Sequence, residues 1–134
     1  MPAKTVLIVD DETNVTRTLQ MVLEREGYAV TPAYSCAEAL ALMNGKQRFD
    51  IVITDLNMER EDIGLEVARA ARSLTHRPVV VICTGYANVS NAQAALDMQV
   101  DYLATKPVEL SELISALTRL SALREAERIR TGAP

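Results

Sequence analysis

The sequence predicts an α/β fold of the three-layer α/β/α type, in which a five-stranded parallel sheet lies between two layers of helices. Three apolar runs, at 6–9, 51–53 and 79–83, are rich in β-branched residues and do not alternate with polar ones. Such runs are typical of strands that are buried on both faces. Segments with helical periodicity separate the runs, and the resulting β-α order, repeated five times, indicates a doubly wound parallel sheet.

The strands differ in how strongly the sequence marks them. The first, third and fourth are the apolar runs themselves, whereas the second and fifth are weaker and are placed from their position in the alternation. The predicted strands cover residues 6–9, 28–32, 51–53, 79–83 and 101–105.

Five helices are expected between and after the strands, each marked by apolar residues three or four positions apart. The second opens with the spacing of a capping box, in which Ser35 accepts from a backbone N–H and Glu38 reaches back. The stripes are Val15, Leu19, Val22 and Leu23 in the first helix, Leu40 and Met43 in the second, Val67, Ala71 and Leu74 in the third, Val89, Ala92 and Leu96 in the fourth, and Leu110, Leu113, Leu117 and Leu120 in the fifth.

Length and composition exclude several classes of protein. A chain of 134 residues, 49% hydrophobic and 24% charged, fits one globular domain with a real core. A net charge of −4 disfavours direct binding of nucleic acid, which needs a basic surface. The apolar runs fall short of a membrane span, and no secretory signal precedes the first strand. Cys36 and Cys83 are expected to be reduced and packed in the interior, in a cytoplasmic protein.

Polar side chains stand where the predicted strands end. Asp10 and Asp11 follow the first strand, Asp55 ends the third, Thr84 ends the fourth, and Lys106 follows the fifth. The carboxyl ends of parallel strands share one edge, which is where such sheets bind ligands. Three carboxylates at one point repel one another, and a hard divalent cation such as Mg²⁺ relieves this. A carboxylate can also act as a nucleophile toward phosphorus.

Plainer interpretations exist for several of these residues. Asp10 and Asp11 could cap the first helix, because Asp favours that position. Thr84 could be an ordinary β-branched strand residue, and Asn57 an ordinary turn residue. His76 is expected to be a solvated loop residue.

Four segments together make the chain resemble the receiver domain of bacterial two-component response regulators. They are VLIVDDE with Asp10 and Asp11, IVITDLNM with Asp55, VVVICTG with Thr84, and ATKP with Lys106 and Pro107. The resemblance covers residues 4–120 and implies a flavodoxin-like sheet with strand order 2-1-3-4-5. It also implies that residues 1–122 form the receiver domain, with 123–134 as an extension of the last helix and a short tail.

The resemblance implies a role for each matching residue. Asp55 would accept a phosphoryl group from a sensor histidine kinase or a phosphotransfer protein. Asp11 would bind Mg²⁺, or alternatively Mn²⁺, directly, Asp10 largely through water, and Asn57 through its backbone carbonyl. Thr84 and Lys106 would hold the phosphoryl oxygens, and the peptide bond from Lys106 to Pro107 would be cis.

In the family, the phosphoryl group changes the face formed by the fourth helix, fifth strand and fifth helix. A downstream protein or a C-terminal output domain would read that face, and a homodimer through it is a further expectation. The protein would be a phosphoacceptor switch rather than an enzyme, with self-catalysed phosphorylation and dephosphorylation.

Several positions depart from the family pattern. Gly64 lies nine residues after Asp55 rather than eight, and Glu59 replaces a common Pro, so the intervening loop is longer and more acidic. Gln99 replaces a usual Gly before the fifth strand. We expect the altered loop to change how a kinase recognises this protein.

The switch residues also depart from the pattern. The position of the family's switch aromatic is Leu103, with Tyr102 one residue earlier; either Tyr102 faces the other side of the sheet or a bulge corrects its direction. Tyr86 stands where the family tunes dephosphorylation. In the extension, Arg124 interrupts the leucine spacing, which leaves a dimer helix, a linker or a solvated overhang as alternatives.

Two other functions compete with the switch. A Mg²⁺-dependent aspartyl phosphohydrolase of the haloacid-dehalogenase type also uses an Asp at a strand end, but that family has a second Asp where this chain has Asn57. A degenerate receiver that serves as a protein docking module is the third alternative. The full set of acidic and basic residues argues against it, but the displaced Tyr102 leaves it open.

Overall fold

The sheet has the predicted parallel topology. A computed structural model describes residues 3–85 and 88–132. Its five strands pair in the order β2-β1-β3-β4-β5, and every pairing is parallel. The observed ends lie within two residues of the predicted ones. The strands are β1 (Thr5–Val9), β2 (Ala29–Ala33), β3 (Ile51–Asp55), β4 (Val79–Thr84) and β5 (Tyr102–Thr105).

Five helices connect and follow the strands in the predicted order. No helix in the described part of the chain is long and apolar enough to cross a membrane. The helices are α1 (Thr13–Arg25), α2 (Cys36–Met43), α3 (Gly64–Arg72), α4 (Val89–Asp97) and α5 (Leu110–Thr131).

Two apolar cores lie on opposite faces of the sheet, because successive strand residues point to opposite sides. Val52 and Ile82 belong to the core under α2, α3 and α4. Ile53 and Val81 belong to the core under α1 and α5. The unalternating apolar runs of β3 and β4 therefore arise because both faces of these strands are covered by helices.

The fourth helix forms where the apolar spacing predicts it, but that spacing does not mark its buried face. Val89 is 88% exposed and Leu96 is 69% exposed, whereas the buried residues are Asn91 and Ala95. A capping box opens this helix: Asn88 accepts from the Asn91 N–H, and Asn91 accepts from the Asn88 N–H, both at 2.8 Å. Asn91, a residue of the cap, lies on the buried side, and the larger apolar side chains face outward.

The start of α2 follows the predicted capping spacing in part. Ser35 Oγ accepts from the Glu38 N–H at 3.1 Å, as expected. The Glu38 carboxylate, however, accepts from the Tyr34 N–H at 3.3 Å rather than from the backbone of Ser35.

The last helix runs through residue 122 without interruption, and its end is attached to the body of the domain. Arg124 donates to the carbonyls of Arg77 and Pro78 at 3.0 and 2.8 Å and to Asp101 Oδ1 at 2.8 Å. Arg128 donates to the same Arg77 carbonyl at 2.7 Å. We call residues 123–131 the α5 arm. A solvated overhang is not what the structure shows, because these bonds hold the inner side of the arm against the amino end of the sheet.

His76 is not the solvated residue that the sequence suggested. Its Nε2 lies 3.1 Å from Asp50 Oδ1, and the His76 side chain is 16% exposed. Asp50 Oδ2 also accepts from the Thr5 N–H at 2.8 Å. Asp50 therefore joins the start of β3 both to the start of β1 and to the loop before β4.

Candidate functional site

Three carboxylates converge at the carboxyl end of the sheet. Because β1 lies beside β3, Asp10 after β1 and Asp55 at the end of β3 become neighbours. One carboxylate oxygen from each of Asp10, Asp11 and Asp55 lies within 4.8 Å of the others; Asp10 and Asp55 are buried and Asp11 is exposed. The structure thus brings the three predicted acidic residues to one point.

A lysine from the far side of the sheet reaches this cluster. Lys106 Nζ lies 2.9 Å from Asp10 Oδ2 and 3.4 Å from Asp55 Oδ2. The Lys106 N–H donates to the Thr84 carbonyl at 2.8 Å, which ties the end of β5 to the end of β4. The peptide bond between Lys106 and Pro107 is cis, as expected.

The electrostatics of the cluster favour a cation. Burial raises the pKa of Asp55, and the neighbouring Asp10 charge adds to the rise, while Lys106 opposes it. Burial acts to lower the pKa of Lys106, but its pairs with Asp10 and Asp55 outweigh this and raise it. Three carboxylates facing one ammonium leave two negative charges uncompensated when all are ionised. The donor set of clustered carboxylate oxygens is the one that Mg²⁺ prefers.

Asp10 is not the cap of α1. The residue at the capping position is Glu12, whose side chain makes no capping hydrogen bond. Asp10 Oδ1 instead accepts from the Glu12 N–H at 2.9 Å, while its other oxygen faces Lys106. The hydrogen bond fixes the carboxylate in the direction of the cluster.

The loop after β3 is closed by Asn57. Its Oδ1 accepts from the Asp62 N–H at 2.7 Å, and Asp62 has a positive φ of 59°. The side chain of Asn57 is thus occupied within the loop, so a role for this residue in metal binding rests on its backbone carbonyl.

Gly64 lets α3 begin directly against the strand that carries Asp55. The Gly64 N–H donates to the Leu56 carbonyl at 2.8 Å. A Cβ at this position would lie 2.0 Å from the Asp55 carbonyl oxygen and 2.8 Å from Leu56 Cα. The sequence marked Gly64 for its spacing alone; the structure shows that a side chain there would displace the backbone of Asp55.

Glu59 has a contact that the sequence did not predict. Both of its carboxylate oxygens lie 3.3 Å from the Cys36 backbone N–H, at the first residue of α2. A carboxylate at a helix N-terminus is favoured by the helix dipole and by the unpaired N–H groups there. The acidic loop after β3 is therefore anchored to α2, and the signal for this, an acid opposite a helix start, is visible only once the topology is known.

Thr84, Tyr102 and Leu103 line up on the two neighbouring strands β4 and β5. Thr84 is fully buried at the end of β4. The pairing of β4 with β5 is regular, with Val81 opposite Tyr102 and Ile82 opposite Leu103, so no bulge redirects the aromatic ring. Tyr102 packs against the core under α1 and α5. Leu103 shares the direction of Ile82, toward the other face. Tyr86 lies outside the described residues.

The cluster opens onto a cavity of about 580 Å³ between α1 and the start of α5. Its floor is formed by buried sheet residues such as Ile8 and Ile53, and Asp10, Asp55 and Lys106 stand at one end. Apolar side chains thus line most of this cavity, which adjoins the acidic site.

Comparison with known proteins identifies the class of protein that this fold and site define. The chain matches the response regulator receiver domain family over residues 6–118. It therefore belongs to this family of two-component signalling proteins.

One relative is similar to nearly the whole chain. The chain is 35% identical over 129 residues to the acid tolerance regulatory protein ActR of Rhizobium meliloti, covering 96% of this chain and 63% of that protein. The chain thus spans less than two thirds of that relative.

Two solved structures resemble the fold. A CheY-like response regulator receiver domain protein from Methanospirillum hungatei superposes with a TM-score of 0.87 at 29% identity, covering 93% of this chain and 98% of that one. A response regulator from Burkholderia pseudomallei, with a phosphorylated aspartic acid, a calcium ion and citrate, has a TM-score of 0.78 at 30% identity, covering 93% and 72%.

Proposed function

We propose that Asp55 is the phosphoacceptor of a signalling switch and takes its phosphoryl group from a phosphohistidine of a sensor kinase or phosphotransfer protein. The observation that carries this is the buried Asp55 carboxylate, held beside two further carboxylates and 3.4 Å from the Lys106 ammonium. Burial and the neighbouring Asp10 raise the pKa of Asp55, and shifted pKa values of this kind cluster at functional sites. A related response regulator with a phosphorylated aspartic acid supports the assignment.

The residues present fit a divalent cation. Asp11, exposed at the rim, and Asp55 would supply carboxylate oxygens, Asp10 would act largely through water, and the Asn57 carbonyl would complete the protein ligands. When bound, Mg²⁺ or Mn²⁺ would neutralise the carboxylates and the phosphoryl oxygens. The excess of two negative charges over Lys106 is what the cation would offset.

The transfer follows from the positions of the side chains. A carboxylate oxygen of Asp55 attacks phosphorus as the bond between phosphorus and the histidine nitrogen breaks, and the imidazole leaves with the electron pair. Lys106, already 3.4 Å from Asp55, pairs with a phosphoryl oxygen. Thr84 at the end of β4 donates its hydroxyl to another.

The readout begins with the added charge. A phosphoryl group brings about −1.5 to −2 charges and several acceptor oxygens. Thr84 and Lys106 are drawn toward it, and both are attached to the β4–β5 edge through the hydrogen bond between them. The face of α4, β5 and α5 would then change, for an output domain, a partner protein or a homodimer to read. Leu103, rather than Tyr102, points to the α4 side of this strand.

The two cysteines bear on the cellular compartment of the protein. Cys36 and Cys83 are both buried free thiols, which supports a reducing cytoplasm.

A phosphohydrolase of the haloacid-dehalogenase type is less well supported than the switch. The position of its second acid is occupied by Asn57, whose side chain closes the loop by accepting from the Asp62 N–H.

The test is the intact mass of the protein after incubation with acetyl phosphate and Mg²⁺. We expect one phosphoryl adduct, lost in Asp55→Asn and after chelation by EDTA, but kept in Asp97→Asn, a matched change on the exposed side of α4. No adduct, together with no response of the amide NMR spectrum to beryllofluoride, would sink the proposal and leave a docking module. Steady release of phosphate from a small ester would favour the hydrolase.

A further inference from the structure

The outward side of α5 near the arm carries an exposed apolar residue in a fixed orientation. Leu123 is 61% exposed. The next residue, Arg124, is held at the amino end of the sheet by three hydrogen bonds, and Arg128 by a fourth. These bonds fix the rotation of the helix about its axis, so Leu123 faces away from the domain in every copy of the chain.

Leu123 lies at the centre of a row with opposite charges at its ends. Arg119, Leu123 and Glu127 are four residues apart and form one ridge along the helix. All three are exposed, and the carboxylate of Glu127 has a loose contact, 4.0 Å, with Arg124 Nε. The small side chains of Ala122 and Ala126 lie along one side of the ridge and let another backbone come close there.

The order of charges along the ridge favours one relative orientation of two such ridges. In a parallel pair related by two-fold symmetry, Arg119 would face Arg119 and Glu127 would face Glu127, which is repulsive. In an antiparallel pair centred on Leu123, each Arg119 faces the Glu127 of the other copy, because both lie four residues from the centre. The leucines then meet on the axis and both ends are attractive.

We propose that a second copy of this chain docks antiparallel on α5, with the two-fold axis at Leu123. The contact extends from Arg119 to Glu127 in each copy, so it is short. It differs from a dimer through the whole face of α4, β5 and α5, because it is centred at the arm and uses neither α4 nor β5. It uses no residue of the acidic cluster, and it is independent of phosphorylation.

The test is sedimentation equilibrium of the full, unphosphorylated chain without Mg²⁺, at low salt. Arg119→Glu or Glu127→Arg alone turns two attractive pairs of the dimer into repulsive ones, and each should weaken dimerisation by about tenfold. The double variant Arg119→Glu with Glu127→Arg restores opposite charges and should return the dissociation constant to within about threefold of the original. Rising salt should weaken the original dimer.

Matched controls separate this contact from others. Leu123→Ser should weaken the dimer, whereas Ile129→Ser, at a side chain that is 78% exposed but lies on another side of the helix, should not. Arg17→Glu on α1 should leave it unchanged. Asp55→Asn should dimerise normally, so this result does not depend on the phosphoacceptor assignment. A chain that stays monomeric up to about 1 mM, or a dimer that the double variant does not rescue, overturns the proposal.

Discussion

The two ends of the sheet use similar charged side chains but balance them differently. At the amino end, Asp101 receives Arg124 at 2.8 Å on one oxygen and the Val80 N–H at 2.8 Å on the other. At the carboxyl end, Asp55 and its two acidic neighbours share the single ammonium of Lys106. An acid whose two oxygens both have donors stabilises the fold, whereas an excess of negative charge marks a place that binds something.

The acids at the two ends also differ in their pKa. Burial acts to raise the pKa of Asp50 at the amino end, but hydrogen bonds from Thr5 and His76 outweigh it and lower the pKa. Burial raises the pKa of Asp55, and Asp10 raises it further. Relative to the unfolded chain, folding thus shifts Asp50 toward its ionised form and Asp55 toward its protonated form.

The largest loss of stability is expected from Gly64→Ala, because the added methyl group would push α3 away from β3 at the carboxyl end of the sheet. The new Cβ would lie 2.0 Å from the Asp55 carbonyl oxygen, so the free energy of unfolding in urea should fall by about 3 kcal/mol or more. Gly85→Ala is the matched control, because a Cβ there has nothing within 4 Å. Equal stabilities for the two variants would refute the close packing of α3 on β3.

The next largest loss of stability is expected from Arg124→Met, which removes the cation paired with Asp101 at the amino end of the sheet. The Asp101 carboxylate loses its cation and two backbone carbonyls lose a donor, so unfolding should become easier by about 2 kcal/mol. Arg130→Met, an exposed change on the same helix, should alter stability by less than about 0.5 kcal/mol. A negligible effect of Arg124→Met would mean that the arm does not stabilise the domain.

The smallest effect is a pH dependence of opposite sign at the two ends, measured without divalent cations. Since the folded-state pKa of Asp50 is lowered, its stabilisation is present above the unfolded pKa and is lost as the pH falls through the folded pKa. Since that of Asp55 is raised, its ionisation costs stability as the pH rises through the window between the unfolded and folded pKa values. Urea unfolding of Asp50→Asn and Asp55→Asn against pH checks both signs. Slopes of the same sign would contradict the comparison.

The fold and the acidic cluster could be predicted because their signals are local. A buried strand such as β3 shows itself as a continuous β-branched run, and parallel topology then brings Asp10 and Asp55 to one edge. The same reasoning predicted the position of Lys106. The direction of Tyr102 stayed open until the register was known, because one residue of slip reverses a side chain.

The remaining features depend on tertiary contacts with no local pattern. Arg124 meets carbonyls 46 and 47 positions away in the chain, and His76 meets Asp50 across 26. The apolar spacing of α4 predicted a helix but does not mark its buried face, which carries Asn91 and Ala95 instead of Val89 and Leu96. Long-range hydrogen bonds of this kind depend on the tertiary fold, and no local sequence pattern predicts them.

The most direct test of the central claim is the free energy of unfolding with and without Mg²⁺. We expect Mg²⁺ at about five times its dissociation constant to stabilise the original chain by about 1 kcal/mol. The gain should vanish in Asp10→Asn and Asp55→Asn and persist in Arg124→Met, whose change lies at the other end of the sheet. A gain that survives both acidic substitutions, or no gain at any concentration, would contradict the claim that the carboxyl end carries uncompensated charge for a cation.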